Sequence, residues 1–384
     1  MSQSLKYKKL GALLLAAGVL SMAACSTTPG ASNADLAERW SSLRAEQPKL
    51  HPRDAAQKLN VSEAELVATT VGKTATRLRD GSANYKAVYD RLYELGQIKA
   101  ITRNDTAVLE RVGSVTKAKL NEDGRVVPGT GFAGGPIDLR FSTDNWRSAF
   151  AVVQPGREGK LSRSLQFFDG HGDAVHKVYL DNEAGIAAFD KLVADFKAAD
   201  QMAEMKLDKA PSRPPRKQDS EVDVKELRAS WNEMSDVHEF PRLLKDLGIS
   251  REQALGLIGK DAAYRISAQS VQTLIESAAR QEQPIMVFVS NAGMTQIFSG
   301  NVKKVQTIGE WFNVLDPEFN LHLRSAGIDH GWVVKRPGKD GVITSVEFYD
   351  AKGDQVVNFF SRRDRNKEES GTWRQIVGSL ASAS

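Results

Sequence analysis

Apolar and polar residues alternate in two separate stretches of the chain, and a glycine- and aspartate-containing turn interrupts each alternation once. Residues 164–179 read SLQFFDGHGDAVHKVY, and residues 345–360 read SVEFYDAKGDQVVNFF. A period of two broken by Gly and Asp is typical of two antiparallel strands joined in a hairpin. Each stretch therefore predicts a β-hairpin, and the two hairpins are similar in sequence.

Several segments upstream of the hairpins also recur in the second half of the chain, in the same order. They are 40–43 with 231–234, 55–62 with 243–250, 98–104 with 285–291, and 137–141 with 319–323. The nearly constant offset indicates an internal repeat. Helical segments precede the strands in each copy, so we predict an α+β fold, a tandem duplication of a module with N-terminal helices followed by an antiparallel β-sheet.

The composition of the chain indicates where the two repeats begin and end. A stretch rich in Pro, Lys and Arg separates the copies, and such a composition favours an exposed, semi-rigid linker. The predicted organisation is a lipoprotein-like signal segment at 1–25, a flexible tether at 26–34, a first repeat at 35–200, the linker at 201–222 and a second repeat at 223–384.

The N-terminal segment has the features of a targeting signal. Lysines at positions 6, 8 and 9 precede an apolar run at 10–24 that is too short for a typical membrane-spanning helix. The run ends in Met22-Ala-Ala-Cys25, which resembles a bacterial lipoprotein cleavage box, and Cys25 is the only cysteine. We expect lipidation of Cys25 and a lipoprotein that faces the periplasm, at the outer membrane by analogy because Ser26 follows. If the signal is not used, the protein is cytoplasmic.

Several function classes are disfavoured. The 52 basic and 48 acidic residues leave a net charge of only +4, which does not indicate a nucleic-acid binder. Residues 54–66 imitate a helix-turn-helix, with Ser62 and Glu65 as a capping box, but the second helix, at 64–70, has no Arg or Lys to contact DNA. A single cysteine excludes an internal disulfide. No catalytic triad, Walker loop or dinucleotide-binding loop is visible.

His238 is the one histidine whose setting suggests a ligand. It lies at or just inside the start of a predicted helix, with Pro241 in the first turn. The positive end of the helix dipole disfavours imidazolium, and a neutral imidazole can bind a metal. Spacing alone leaves open a structural histidine packed on an apolar helix face. The other histidines, His51, His171, His176, His322 and His330, are expected to be structural.

The chain from about Asp35 to Leu380 resembles the HemS/HmuS/ChuS family of bacterial haem-utilisation proteins. The segments that carry the resemblance are 39–48, 137–140, 165–179, 236–238, 285–289 and 296–300. Members of this family are described as intracellular haem carriers, some of which also degrade haem. The resemblance therefore implies haem (iron protoporphyrin IX) as the ligand.

The resemblance also implies roles for individual residues. His238 matches the axial ligand of the haem iron, and Arg140 matches an arginine of the distal face that would steer oxygen if the protein is an enzyme. Further matches are Arg251, Arg336 (where relatives have Lys) and Arg363 near the propionates, Phe288 against the macrocycle, and Phe360 where relatives have Tyr. Leu109 stands where some haem-degrading members have a second histidine, which weakens a haem site in the first repeat.

Three functions follow as expectations. The first is a carrier that binds haem and transfers it, with a haem ABC transporter or a haem-oxygenase-type protein as partner and with a membrane contact only through the lipid anchor. The second is an enzyme that opens the porphyrin ring with oxygen and an external reductant. The third is a lipid-anchored scaffold without haem. The counterpart of His238 in the first repeat falls at 47–50, which contains no histidine, so we expect one haem per chain.

Overall fold

The described part of the chain covers most of both repeats. The computed structural model describes residues 33–48, 50–116, 130–133, 135–202, 204–209, 216–236, 239–339, 341–362 and 368–380. The predicted signal segment with Cys25, together with His238 and Arg363, lies outside these residues. Within them, no helix is both long and apolar enough to cross a membrane.

The first repeat begins with helices and continues mainly as strands. Its elements are α1 (Asn33–Glu46), α2 (Pro52–Leu59), α3 (Glu63–Ala68), β1 (Ala75–Arg77), α4 (Ser82–Tyr89), β2 (Gln97–Arg103), β3 (Ala107–Ser114), β4 (Thr130–Ala133), β5 (Asp138–Ser142), β6 (Trp146–Pro155), β7 (Leu161–Asp169), β8 (Ala174–Leu180) and α5 (Ile186–Phe196). The predicted capping box starts α3, because Ser62 Oγ accepts from the Glu65 amide at 3.2 Å and Glu65 Oε2 accepts from the Ser62 amide at 2.7 Å.

Among the described residues, the second repeat runs through the same order of elements with one more strand between its last two helices. They are α6 (Val224–Glu233), α7 (Phe240–Leu247), α8 (Arg251–Ile258), β9 (Ala263–Ser267), α9 (Ser270–Arg280), β10 (Ile285–Ser290), β11 (Met294–Gly300), β12 (Val305–Ile308), β13 (Trp311–Leu315), β14 (Phe319–Arg324), β15 (His330–Arg336), β16 (Ile343–Tyr349), β17 (Gln355–Ser361) and α10 (Gly371–Gly378). The predicted hairpins are confirmed as β7–β8 and β16–β17. Two helices in each repeat, α4 with α5 and α9 with α10, were not expected among and after the strands. The eight residues of α4 are too few for a helical period to show in sequence.

The repeats exchange strands. One sheet has the order β1-β6-β7-β8-β2-β3-β14-β13-β12, and the other has the order β4-β5-β11-β10-β17-β16-β15-β9. The first sheet therefore ends in three strands of the second repeat, and the second sheet begins with two strands of the first repeat. Because β14 pairs with β3 and β5 pairs with β11, neither sheet is complete without the other repeat.

Two asparagines fasten the repeats to each other where the β2–β3 and β10–β11 turns meet. Asn104 Nδ2 donates to the carbonyls of Ser290 at 3.2 Å and Val356 at 2.8 Å. Asn291 Nδ2 donates in return to the carbonyls of Arg103 at 3.0 Å and Val175 at 2.8 Å. Each amide oxygen also accepts two backbone N–H groups of its own turn. We call this pair the asparagine clasp.

Each sheet buries one face and leaves part of the other open. In the second sheet, Val287, Val289 and Phe359 enter a core shared with β14, α9 and α10. Their neighbours in sequence, Phe288 and Phe360, point to the opposite face because side chains alternate along a strand. Helices α7 and α8 cover only the β15–β16 side of that opposite face, so the β5–β11–β10–β17 side stays accessible.

Candidate functional site

The partly open face of the second sheet brings together residues from both repeats. Arg140 on β5 is opposite Thr295 on β11, and Thr295 is opposite Ser290 on β10. Phe288, two residues before Ser290, shares this face, and Phe360 on β17 follows one strand further. Three interstrand spacings of about 4.8 Å separate β5 from β17, which makes the face about 14 Å wide. We call it the aromatic face.

Two phenylalanines form the apolar part of the aromatic face. The rings of Phe288 and Phe360 lie 5.1 Å apart between centroids and meet edge to face at 62°. Both side chains are only half-buried, although the second sheet has a large core on its other side. A pair of half-buried aromatic rings on a sheet is a surface suited to a flat apolar ligand.

A buried group of charges lies beside these rings, under α8. Arg251, the first residue of α8, makes a two-point ion pair with Glu347 on β16, through Nε and Nη2, at 2.7 Å each. Arg336 Nη2 approaches the same carboxylate at 3.2 Å. Ser345 and Tyr349 hydroxyls donate to it at 2.8 and 2.9 Å. Glu347 is fully buried, so this carboxylate is held by five side-chain contacts at 3.2 Å or less.

The buried charges stabilise one another. Burial alone would raise the pKa of Glu347, but the Arg251 guanidinium, with help from Arg336, holds that pKa well below its usual range. Burial also opposes the charge of Arg251, and the Glu347 carboxylate more than offsets it, so the pKa of Arg251 is raised. Burial lowers the pKa of Arg336 to about 10, in spite of Glu347. All three groups stay charged at neutral pH, with a sum of one positive charge.

Arg251 and Arg336 also pack against the start of α7. Phe240, the first residue of this helix, is fully buried, with the Arg251 guanidinium carbon 4.8 Å and the Arg336 guanidinium carbon 5.5 Å from its ring centroid. Pro241 occupies the first turn of α7, as predicted. His238 itself lies outside the described residues, but it precedes Phe240 by only two positions in the chain.

Arg140 lies at the far edge of the aromatic face, on the strand that the first repeat contributes. Its side chain is 46% exposed and forms an ion pair with Asp138, and its Nη1 donates to the Leu139 carbonyl at 3.0 Å. Arg140 and the Arg251 cluster therefore lie on opposite sides of the phenylalanine pair. The structure brings together Arg140, Arg251, Phe288, Arg336 and Phe360 on one face, whereas the matched positions His238 and Arg363 are not described.

The equivalent face of the first repeat has different chemistry. The strand registers place Lys99 and Glu110 where the second repeat has Met286 and Ile297, and Ile101 where it has Phe288. Lys99 Nζ and Glu110 Oε2 form an ion pair at 3.1 Å across this face. An ion pair in place of two apolar side chains makes the first-repeat face a poor match for an apolar ring.

The ion pair made by the first residue of α8 has a counterpart in α3 with the two charges exchanged. Glu63 begins α3 as Arg251 begins α8, and it pairs with Lys177 of β8 at 2.5 Å. Gln166 occupies the position of Glu347 and Gln154 that of Arg336, as judged from the strand registers. The first repeat therefore presents an acidic residue where the second presents an arginine.

The described histidines lie outside β5, β11, β10 and β17, the strands of the aromatic face, although His330 on β15 stacks on Tyr349 with 5.7 Å between ring centroids. His51 caps α2 and has its Nδ1 3.3 Å from Arg103 Nη1, and His176 is buried with its Nδ1 2.8 Å from Thr102 Oγ1. Leu109, which the family resemblance aligns with a second histidine of some members, is fully buried in the core between the sheets. Among the residues that the structure describes, no group of three or more His, Cys, Asp or Glu side chains is placed to hold a metal ion.

Glu347 is the site residue that sequence reasoning missed. It stands in the alternating segment SVEFY, where a glutamate between apolar residues is expected to face solvent. The structure buries it because α8 lies over β16, and every residue of β16 is buried. The available signal was the first turn of α8, where Arg251 needs a partner on the strand beneath.

Comparison with known proteins agrees with this architecture. A family model described as the Haemin-degrading HemS.ChuX domain matches residues 60–196 and again residues 248–380. The chain belongs to this family. The double match also confirms the predicted duplication.

Relatives cover the chain nearly end to end. The Hemin transport protein HmuS of Yersinia pestis is 35% identical over 348 residues, which are 91% of this chain and 98% of that protein. Holo-PhuS, described as a heme-binding protein from Pseudomonas aeruginosa, is 40% identical with a TM-score of 0.84, over 92% of this chain and 100% of that one. ChuS, described as an E. coli heme oxygenase, is 32% identical with a TM-score of 0.77, over 90% of this chain and 99% of that one.

Proposed function

We propose that this protein binds one haem on the aromatic face of its second sheet and transfers it to another protein. The observation that carries the proposal is the difference between the two repeats. The second repeat presents two half-buried phenylalanine rings beside the Arg251–Arg336 pair, and the first repeat presents an ion pair where the second has the apolar side chains of Met286 and Ile297. The names of the Yersinia and Pseudomonas relatives, which refer to hemin transport and haem binding, support this ligand class.

The residues of this face suit the three parts of haem. Phe288 and Phe360 offer an apolar surface to the macrocycle. Arg251, 23% exposed at the side chain, offers a cation for a propionate, with Arg336 buried behind it and Arg363 assigned by resemblance. His238 would supply the imidazole that iron needs, and Arg140 would supply a hydrogen-bond donor from the first repeat.

Titration of haem into the protein without its first 32 residues tests the proposal. We expect a Soret band shifted from that of free haem in the wild type, and a changed band with weaker binding in His238→Ala. His171→Ala is the matched control, because His171 lies in the β7–β8 turn of the first repeat, and it should behave as the wild type. Absence of any Soret shift at micromolar haem would instead favour a scaffold without haem.

Haem degradation is a second candidate, favoured by the E. coli neighbour that is described as a heme oxygenase. When bound, haem supplies the iron at which oxygen is activated. Arg140, a cation at the edge of the aromatic face, would steer that oxygen. The haem complex is incubated with ascorbate and catalase, in the wild type and in Arg140→Ala. Loss of the Soret band with release of CO in the wild type supports the enzyme, and a persistent band excludes it under these conditions.

We further propose that the protein is anchored to the membrane through lipid on Cys25, facing the periplasm at the outer membrane. The basis is the sequence Met22-Ala-Ala-Cys25 after an apolar run. Labelling with radioactive palmitate in a bacterial host should mark the wild type and not Cys25→Ser. Unlabelled protein in the cytoplasmic fraction would contradict the anchor and leave the haem proposal intact.

A further inference from the structure

The Glu347 carboxylate lies between Arg251 and Arg336 and is not exposed on the aromatic face. It is fully buried and it accepts from Arg251, Arg336, Ser345 and Tyr349. Gln355 Nε2 adds a longer contact at 3.3 Å. With its acceptor sites filled in this way, Glu347 is a fixed part of the protein and not a group that a ligand carboxylate would displace.

The ion pair with Glu347 determines which part of Arg251 faces outward. The carboxylate binds Nε and Nη2, which form one edge of the planar guanidinium. Because the group is rigid and planar, its Nη1 end points away from Glu347. The side chain of Arg251 is 23% exposed, whereas that of Arg336 is 2% exposed. Arg251 is therefore the member of the pair that an incoming ligand can reach.

Stability is a weak reason for such a cluster. Buried ion pairs often contribute little net stability, because desolvation of the charges offsets their attraction. In the first repeat, Gln154 and Gln166 stand at the positions of Arg336 and Glu347, within the same strand framework. The fold of this module thus tolerates a neutral pair at these positions, and the charged pair of the second repeat calls for another explanation.

We propose that Glu347 is a positioning residue for propionate recognition: it holds one edge of Arg251 so that the other end of the guanidinium is presented to a carboxylate of the ligand. This role rests on the proposed haem-binding function. Arg336 contributes in two ways: it helps to neutralise the charge of the buried Glu347, and it packs against the ring of Phe240 at the start of α7.

The first repeat provides the design of the test. The double variant Arg336→Gln with Glu347→Gln installs the glutamine pair of the first repeat in the second. It removes one positive and one negative charge, so the net charge near Arg251 is unchanged while the two-point contact of Arg251 with Glu347 is lost. Glu63→Gln with Lys177→Gln is the matched control, because it removes a buried ion pair of similar burial from the first repeat.

Two ligands separate positioning from general support of the site. One is haem, and the other is its dimethyl ester, in which both propionates are blocked. For the glutamine double variant we expect haem affinity to fall about tenfold, as for one lost hydrogen bond to a charged group, and ester affinity to stay within about twofold of the wild type. The first-repeat control should bind both ligands as the wild type does.

A second variant covers the case in which the double variant does not fold. Arg251→Lys keeps the positive charge but cannot make the two-point contact with Glu347, and we expect the same selective loss for haem. Unchanged haem affinity in both variants, or an equal loss for haem and its ester, would overturn the positioning role. A wild type that binds neither ligand would instead refute the proposed function itself.

Discussion

The asparagine clasp makes a quantitative prediction about how the two repeats depend on each other. Asn104→Ala removes two donated and two accepted hydrogen bonds at the junction of the turns. Asn291→Ala removes the equivalent four from the other side. The aromatic face depends on this junction, because Arg140 comes from the first repeat and the phenylalanines come from the second.

The expected cost follows from those contacts. Four hydrogen bonds at about 1 kcal/mol each would give about 4 kcal/mol. Both asparagines are half-buried, so water can reach some of the groups left behind, and we expect a loss of about 2–3 kcal/mol for each single variant. The double variant should lose less than the sum, because the two side chains bond to neighbouring turns and are coupled.

Urea unfolding followed by circular dichroism measures these values. Asn182→Ala is the matched control: Asn182 makes three comparable bonds, to Leu95, Gln97 and Gly185, entirely within the first repeat. It should be destabilised without coupling to Asn291. Because each sheet contains strands of both repeats, the clasp variants should still unfold in one transition. A loss below about 0.5 kcal/mol in Asn104→Ala, or two separate transitions in the double variant, would refute this reasoning.

Two further predictions concern pH and the aromatic face. Burial lowers the pKa of His176 to about 3 and that of His51 to about 4, so both bind protons more weakly in the folded than in the unfolded state. The free energy of unfolding should fall as pH drops below about 6.5, by up to about 1.4 kcal/mol per pH unit for each histidine. In the His176→Gln variant, the free energy of unfolding should depend less steeply on pH in this acid range. An unchanged pH dependence would contradict this effect of burial. Phe288→Ala should weaken haem binding about tenfold through lost apolar contact, whereas Ile101→Ala, at the equivalent position of the first repeat, should leave the titration unchanged; equal losses would contradict a single aromatic face.

The parts of the fold that could be predicted are those determined by neighbouring residues. The β7–β8 and β16–β17 hairpins follow from alternation and a glycine turn, and the start of α3 follows from Ser62 and Glu65 three residues apart. The exchange of strands between the repeats could not be predicted from neighbouring residues. Pairing of β14 with β3 joins residues about 210 positions apart, and no local pattern encodes such a partner.

The candidate site was predictable to a similar degree. Resemblance identified Arg140, Arg251, Phe288, Arg336 and Phe360, and the structure places all five on one face. The role of Glu347 could not be predicted, because its burial depends on a helix that packs across the strand. The contrast with Lys99 and Glu110 in the first repeat also required the strand registers, since it concerns which side chains share a face.

The duplicated fold thus carries two faces of different character. Lys99 and Glu110 replace an apolar pair, and Glu63 replaces Arg251 at the start of the helix. The first face therefore lacks the apolar surface and the cation that the proposed haem site uses. Strand exchange nevertheless lets the first repeat contribute Arg140 to the second face. Under the proposed function, both repeats therefore contribute residues to one site.

The stoichiometry of haem binding tests this account most directly. Haem is titrated into the protein that starts at residue 33 while the Soret absorbance is followed, with protein concentration fixed by amino-acid analysis. We predict a sharp end point at one haem per chain, and loss of that end point in His238→Ala. An end point at two haems per chain, or one that persists in the variant, would contradict a single site on the second sheet.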